Sequence, residues 1–590
     1  MVKIRTRTEL TKNIRIVGLV LLALFAVVSV RVFCLQVVQS EELKSLLRSQ
    51  HQTTITLAPW RGTIYDRNGS ELAVSIEVES LYARPRLIDD RNAVAAQLAP
   101  VLGVSEHEIA TFLESTKPFV WIRRKLTDAQ ADAIRELKID GIGLLKESQR
   151  FYPNMELAGQ VIGFAGLDTQ GLEGIEREYD RILKGTPRTI YVDRDARGGR
   201  VFVEGILNPD QTKGCDVVLT IDKTIQYIAE KELEAAVAGA EAKGGIAVVM
   251  DPLTGDVLAA ASVPRFNPNR YHEASPEVWR NRAVTDVVEP GSTFKSFLVA
   301  AALEERVVRP TDMFFCEHGA YRVANKVIHD VHAYGWLDVA SIIKHSSNIG
   351  VSKIGQQLGR ENLYKYIKRF GFTQLSGIQF PGEVPGALPP LAACSEHTQS
   401  TIAFGHSITV TPIQLAVAYS ALANGGLLMR PTMVKRIVDA TGMTVQEIAP
   451  LVRCRVISPE TAEAMRYMLQ QVVAGGTGKR AALPGFAVAG KTGTSEKLDE
   501  NGYSHSKVLA SFAGFVPADD PRITIVVMID EPQKMRFGGE VAAPAFGKMA
   551  HAILHYLKVP PHQSVQGSEP VPRRSWQETH TRVHHIKPLG

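Results

Sequence analysis

Glu289-Pro290-Gly291-Ser292-Thr293-Phe294-Lys295, continued by Ser296 and the apolar run Phe297-Leu298-Val299-Ala300-Ala301-Ala302-Leu303, is the stretch on which the reading of this chain turns. Proline and glycine break the chain, and the run behind them predicts a buried helix that starts at Ser292. Lys295 follows one turn on, on the same face, with its amine in reach of the serine hydroxyl. A buried amine loses proton affinity and can take the hydroxyl proton. A helix N-terminus favours the negative charge that develops on an attacked carbonyl. The pair reads as nucleophile and base, yet the spacing alone is weak evidence, because Ser341 and Ser504 also have a lysine three residues on.

Two further strings follow in order and raise Ser292 above its rivals: Ser346-Ser347-Asn348 and Lys491-Thr492-Gly493-Thr494. A second hydroxyl at Ser346 can relay a proton to a departing amine, and the Asn348 carboxamide can bind a substrate amide as donor and acceptor. Ala487-Val488-Ala489-Gly490 reads as a strand feeding Lys491, with Gly493 leaving room for substrate backbone along a sheet edge. Lys491 adds positive potential that lowers the proton affinity of Lys295 and attracts a carboxylate, to which Thr492 and Thr494 offer hydroxyls. The backbone N–H groups of Ser292 and Thr494 are candidates for an oxyanion hole.

Around these strings the pattern is α+β. Asp222–Ala242 has helical composition, with Gly244-Gly245 as its stop. Ile246–Met250 and Val257–Ala261 flank Asp251–Asp256 as one hairpin, and Ser511–Val516 and Ile523–Ile529 flank Pro517–Pro521 as another. Thr411-Pro412-Ile413-Gln414 is a capping box, and Gly425-Gly426 ends the helix it starts. Strands at both ends with helices between predict an antiparallel sheet flanked by helices over residues 222–560. Residues 39–221 mix short strands, turns such as Asp66-Arg67-Asn68-Gly69 and amphipathic stretches such as Thr127–Leu137, and read as an elongated, non-catalytic α+β region.

No charge interrupts Ile16–Val30, and beyond Arg31 the apolar run continues to Val38. Residues 16–38 are long enough for a single transmembrane helix if Arg31 snorkels to the interface. Lys3, Arg5, Arg7, Lys12 and Arg15 against the one acid Glu9 keep residues 1–15 cytoplasmic and send the rest outside, and the lack of an A-x-A site favours an uncleaved anchor. Residues 561–590 are Pro-, His- and Arg-rich and read as a polar tail. At 590 residues, with 45% hydrophobic and 22% charged side chains, the chain is a multidomain globular protein rather than a disordered or polytopic one. Its net charge of +5 provides no nucleic-acid footprint, and five scattered cysteines form no C-x-x-C pair. His329, Asp330 and His332 near Cys316 have a spacing that fits no metal motif, so neither metal nor cofactor is expected.

The ordered triplet of motifs is that of penicillin-binding proteins and serine β-lactamases, and the chain resembles a class B penicillin-binding protein over nearly its whole length. The resemblance includes Arg61-Gly62-Thr63-Ile64-Tyr65-Asp66-Arg67-Asn68-Gly69, Arg150-Phe151-Tyr152-Pro153 and Gly171-Leu172-Glu173-Gly174-Ile175-Glu176, similar to pedestal motifs, and Ser262–Asn269. It implies a membrane-anchored peptidoglycan D,D-transpeptidase of the inner membrane that works through a Ser292 acyl-enzyme on stem peptides ending in D-Ala-D-Ala and takes β-lactams as covalent inhibitors. Ile328-His329-Asp330-Val331 and the length look most like the division-specific branch, whose partners would be a membrane glycan polymerase and division-complex proteins. The elongation branch, an inactive division scaffold and a β-lactamase are the alternatives, the last lacking a Glu-x-x-Leu-Asn between Asn348 and Lys491. Many relatives have Gly-x-Gly where this chain has Gly405-His406-Ser407.

Overall fold

The computed structural model describes residues 7–40, 52–57, 59–193, 212–500 and 502–561. The polar tail expected at 561–590 lies, but for its first residue, outside them. A helix α1 (Arg7–Phe33) runs into a π-helical turn, Cys34–Val38. The most apolar 18-residue stretch within Thr11–Val38 has a mean hydropathy of 2.7, and none of it is buried. The basic residues Arg7, Lys12 and Arg15 thus belong to the same helix as the expected span.

The folded chain forms two units. In the first, residues before Thr220 are joined by Phe266–Ser275 and Val434–Ile448. Its sheet is built on the long strand β1 (Glu71–Ala83), which pairs along its length with β2 (Ile142–Phe151). The short strand Ile64–Tyr65 pairs with β1 on one side and, in parallel, with Asp216–Leu219 on the other. Val434–Val438 adds to the outer side of Asp216–Leu219, so a stretch far along the chain completes this sheet. The Asp66–Gly69 turn closes as expected, with Asp66 N–H donating to Ser70 O at 2.8 Å. Asp128–Leu137 is a helix opened by a capping box between Thr127 and Gln130, and its buried Ala131 and Ile134 join Leu81, Leu98 and Ile109 in a small core.

The second unit holds Thr220–Arg265, Pro276–Met433 and the residues after Ile448. Its first elements are α2 (Lys223–Gly239), β3 (Gly244–Met250) and β4 (Val257–Val263), and Asp222 caps α2 through Thr224 N–H at 2.9 Å. Next come α3 (Lys295–Glu304), α4 (Val339–His345), α5 (Asn348–Leu358) and α6 (Pro412–Ala423). The last described elements are β5 (Ala489–Asp499), β6 (Gly502–Val516), β7 (Ile523–Asp530) and α7 (Gly538–Tyr556). The sheet order is β5-β6-β7-β3-β4, antiparallel throughout. Both hairpins form, and the Thr411–Gln414 capping box opens α6.

One expectation is corrected. Gly244-Gly245 does not stop α2, which ends at Gly239. Both glycines begin β3, where a Cβ on Gly245 would come within 2.9 Å of Leu233 and 2.8 Å of Val237 side chains on α2. The bare backbone lets strand and helix close on each other. α2 and α7 cover that face with Leu233, Phe546 and Ile553 in one apolar core with Phe512 and Val527. α3, apolar on all sides, is buried from Lys295 to Ala302.

Candidate functional site

Ser292 stands in a 3₁₀ turn, Gly291–Phe294, and the α-helix begins one residue later at Lys295. The turn is held from below and from the side. Tyr419 of α6 donates its hydroxyl to Thr293 O at 2.9 Å, and Phe297 packs its ring 5.0 Å from Phe370 and Phe372. Gly291 N–H bonds Gly405 O at 3.0 Å, and Ser495 of β5 donates to Glu289 O at 2.9 Å. Half-buried Ser292 is therefore clamped between the helical side and the edge strand of the sheet.

Edge strand β5 carries Lys491, Thr492, Gly493 and Thr494, and pairs only on its β6 side. Its other side faces the Ser292 turn. A Cβ on Gly493 would stand 2.4 Å from Ser511 Oγ, 2.9 Å from Thr293 Cγ2 and 3.0 Å from Pro290 O. The space expected there for substrate is taken by the protein's own approach of strand to turn. Thr494 accepts from Gly538 N–H at 3.1 Å through its hydroxyl, whereas Thr492 turns its hydroxyl to Thr477 Oγ1 at 2.8 Å.

The third motif reaches the same place through a strained joint. Ser346 ends α4 in the left-handed region, with φ of 61°, and Ser347 caps α5 by accepting from Gly350 N–H at 2.9 Å. A non-glycine residue held there is uncommon and concentrates at functional sites. The bend aims Ser346 Oγ at both lysines: Lys295 Nζ donates to it at 3.2 Å and Lys491 Nζ at 2.9 Å. A hydroxyl has two lone pairs, so both are occupied and its own proton is left to point elsewhere.

Lys295 Nζ also donates to Ser346 O at 2.6 Å and Asn348 Oδ1 at 2.7 Å. The reading expected this amine on the Ser292 hydroxyl, and no hydrogen bond joins the two. The reason is a count of donors. An ammonium has three, and three oxygens of the Ser346–Asn348 loop receive them, whereas the neutral amine would donate two and expose a lone pair. Asn348 is occupied too, giving Nδ2 to His329 O at 2.8 Å while accepting from Lys295.

Lys295 and Lys491 are both fully buried. Burial, opposed by Asp330, brings Lys295 down to about 7. Burial first, then the neighbouring charge of Lys295, holds Lys491 well below its ordinary value. Desolvation is the larger effect for each, and the repulsion between the two amines is mutual, disfavouring the charged form of either beside the other.

Asp330, weighed in the sequence as part of a metal site and of the Ile328–Val331 string, has a structural place. Its carboxylate accepts from the backbone N–H of Asn348 and from that of Ile349 at 3.0 Å, and from Ser347 Oγ at 2.5 Å. It anchors the N-terminus of α5, and with it Asn348. Among the described residues no group of three ligating side chains is placed to hold a metal. Glu289, Tyr503 and His406 also went unassigned in the sequence. Tyr503 OH donates to Glu289 Oε1 at 2.9 Å, and His406 Nδ1 lies 2.9 Å from Glu289 Oε2. No spacing rule connects residues 289, 406 and 503.

Residues 245–551 match the family described as the penicillin binding protein transpeptidase domain, and residues 56–219 the penicillin-binding protein dimerisation domain. The chain belongs to the class B penicillin-binding proteins. Among the relatives of this penicillin-binding protein, stage V sporulation protein D of Bacillus subtilis is 37% identical, the match spanning 92% of this chain and 85% of that one. The peptidoglycan D,D-transpeptidase FtsI of Escherichia coli is 34% identical over 94% of this chain and 93% of its own. The crystal structure of a peptidoglycan synthetase from Bifidobacterium adolescentis superposes with a TM-score of 0.68 at 27% identity, covering 88% of this chain and 98% of that one. Penicillin binding protein 3 of Mycobacterium tuberculosis, complexed with aztreonam, gives 0.68 at 28% identity, covering 86% and 98%.

Proposed function

We propose that this penicillin-binding protein is the peptidoglycan D,D-transpeptidase of cell division, acting in two acyl transfers at Ser292. Neutral Lys295 takes the Ser292 proton as the oxygen attacks the carbonyl of the penultimate D-Ala. The N–H groups of Ser292 and Thr494 receive the oxyanion, and the Lys491–Thr494 segment draws the terminal carboxylate. The amide bond breaks, the departing D-Ala amine gains a proton through Ser346, and an ester links the stem to Ser292. An amine of a neighbouring stem then attacks the ester, loses a proton back through the same groups, and frees the serine as the cross-link forms. β-Lactams form the same ester.

The observation that carries this reading is the meeting of Lys295 and Lys491 on one hydroxyl, Ser346 Oγ, at 3.2 and 2.9 Å. The test is covalent labelling by a fluorescent penicillin. The full chain takes up label and the Ser292→Ala variant takes up none; label on the variant overturns the nucleophile.

Residues 16–38 anchor the chain in the inner membrane with residues 1–15 in the cytoplasm, as the basic residues before the span favour. Residues 39–221 form a non-catalytic pedestal, residues 222–560 the transpeptidase domain and 561–590 a polar tail. The natural partner is a membrane enzyme that polymerises glycan, together with division-complex proteins. A fluorescent fusion gathers at mid-cell; labelling confined to the side wall overturns the division assignment.

A further inference from the structure

The proton relay through Ser346 depends on contact between two elements, because Ser346 stands at the end of α4 and Lys491, whose Nζ donates to Ser346 Oγ at 2.9 Å, stands on β5. A residue from a third element holds both. The helix Pro459–Gly475 stops at Gly476, where a Cβ would lie 2.4 Å from Lys344 O, so a bare backbone is needed for the helix end to close on the last turn of α4. Thr477 comes next. Its N–H donates to Lys344 O at 3.3 Å, two residues before Ser346, and its hydroxyl lies 2.8 Å from Oγ1 of Thr492, the neighbour of Lys491. The start of α7 closes on the same point, since a Cβ on Gly539 would stand 2.5 Å from Thr477 O and 3.5 Å from Thr492 Cγ2.

The hydroxyls here form a chain with a direction. Lys491 Nζ donates to Thr492 O at 3.1 Å and to Thr492 Oγ1 at 3.3 Å, besides Ser346. The Thr492 hydroxyl accepts from the amine, so its own proton goes to Thr477 Oγ1. Thr492 is 7% exposed, whereas Thr477 lies at the surface and gives its own proton to water. The amine is thus fixed by Ser346 on one side and by Thr492 on the other. With the Thr477 oxygen removed, a buried hydroxyl loses the acceptor of its proton, turns to find another, and releases the amine it was holding.

We propose that Thr477 is a positioning residue of the transpeptidase reaction: without touching substrate, it holds Lys491 against Ser346 through the Thr492 hydroxyl. The inference rests on the transpeptidase reading of Ser292 and extends its relay by one residue. It also separates two tasks of Lys491. A hydrogen bond weakens steeply when its partners move apart, whereas attraction for a carboxylate falls only as the inverse of distance. A small shift of the Lys491 amine therefore slows proton transfer to the leaving group and leaves binding nearly unchanged.

The test is stopped-flow acylation of the full chain by a fluorescent penicillin over a series of concentrations, which resolves the maximal rate from the half-saturating concentration. Thr477→Ala lowers the maximal rate about fivefold and leaves the half-saturating concentration as it was. Thr477→Ser keeps the hydroxyl and stays within about twofold of wild type in both. Wild-type rates in Thr477→Ala overturn the assignment. So does a Thr477→Ser variant as slow as Thr477→Ala, which places the loss in packing of the methyl group, and so does a loss confined to the half-saturating concentration. All three outcomes leave Ser292 in place. Absence of labelling in the wild type, or its persistence in Ser292→Ala, brings down the transpeptidase reading and this proposal with it.

Discussion

Arg61, Arg150 and Glu176 in the first unit are 2, 5 and 0% exposed, and Lys295 and Lys491 in the second are both 0% exposed. Burial is equal, and the outcome is opposite. Glu176 lies between two guanidinium groups: Arg150 Nε bonds Oε1 at 2.6 Å, Arg61 Nε bonds Oε2, and Arg61 reaches on to Asp180 at 2.6 Å. Burial pushes the Glu176 carboxyl up, and the two arginines outweigh it and hold it below the usual carboxylate range. The lysines face each other across a hydroxyl with no carboxylate bonded to either amine, and both lose proton affinity. A charge that is matched when buried becomes permanent and structural, whereas an unmatched one becomes a proton that can move.

Removing the proposed base is the largest expected break in this comparison. Lys295→Met lowers the rate of acylation by a penicillin by about 10²–10⁴-fold, read by stopped-flow or time-resolved labelling. Thermal stability holds or rises, because an unmatched buried amine has been replaced by apolar atoms. Glu176→Gln does the reverse: it strands two buried guanidinium groups and destabilises the first unit by about 3–5 kcal/mol in chemical denaturation. The acylation rate of the protein that remains folded stays near wild type.

A pH series sharpens the contrast. Acylation of the wild type rises as pH passes about 7, where Lys295 becomes neutral, and levels off above. Asp330→Asn removes the charge that favours the ammonium and moves this rise to lower pH. Stability follows the same proton. Between about 7 and the ordinary lysine value of 10.5 the unfolded chain holds a proton that folded Lys295 has released, so this group's contribution increases with pH across that window. Glu176 acts in the acid range, where its stabilisation is present above 4.5 and lost as pH falls through its lowered folded value. The smallest effect belongs to Tyr152→Phe. It removes a hydroxyl that donates to Glu176 at 3.3 Å and accepts from Ala165 N–H at 2.8 Å, for a loss of about 1–3 kcal/mol in the same denaturation assay.

The two regions also differ in how much of them a reader of the sequence can recover. Lys295, Ser346 and Lys491 sit in short strings whose side chains suit one reaction, so their order along the chain was enough to anticipate their meeting. The capping boxes at Thr127 and Thr411 and both hairpins were legible for a similar reason, being local in the chain. Arg61, Arg150 and Glu176 lie in three strings that resemblance marked as non-catalytic, but nothing in their spacing says that they meet in one ion network. The capping role of Asp330 could not be read because the helix it caps begins 18 residues later in the chain. The direction of the Lys295 amine depends on where three oxygens of another loop stand. Val434–Val438 completes a sheet begun before residue 70, a pairing that no local pattern records.

At Gly493 the close fit of strand and turn is complete. Any methyl group at that position runs into Ser511, Thr293 and Pro290, and would pry the strand away from the nucleophile for drug and natural peptide alike. Position 493 therefore offers no means of telling a bulky antibiotic from a slender peptide, and a change that separates the two belongs in the surrounding walls.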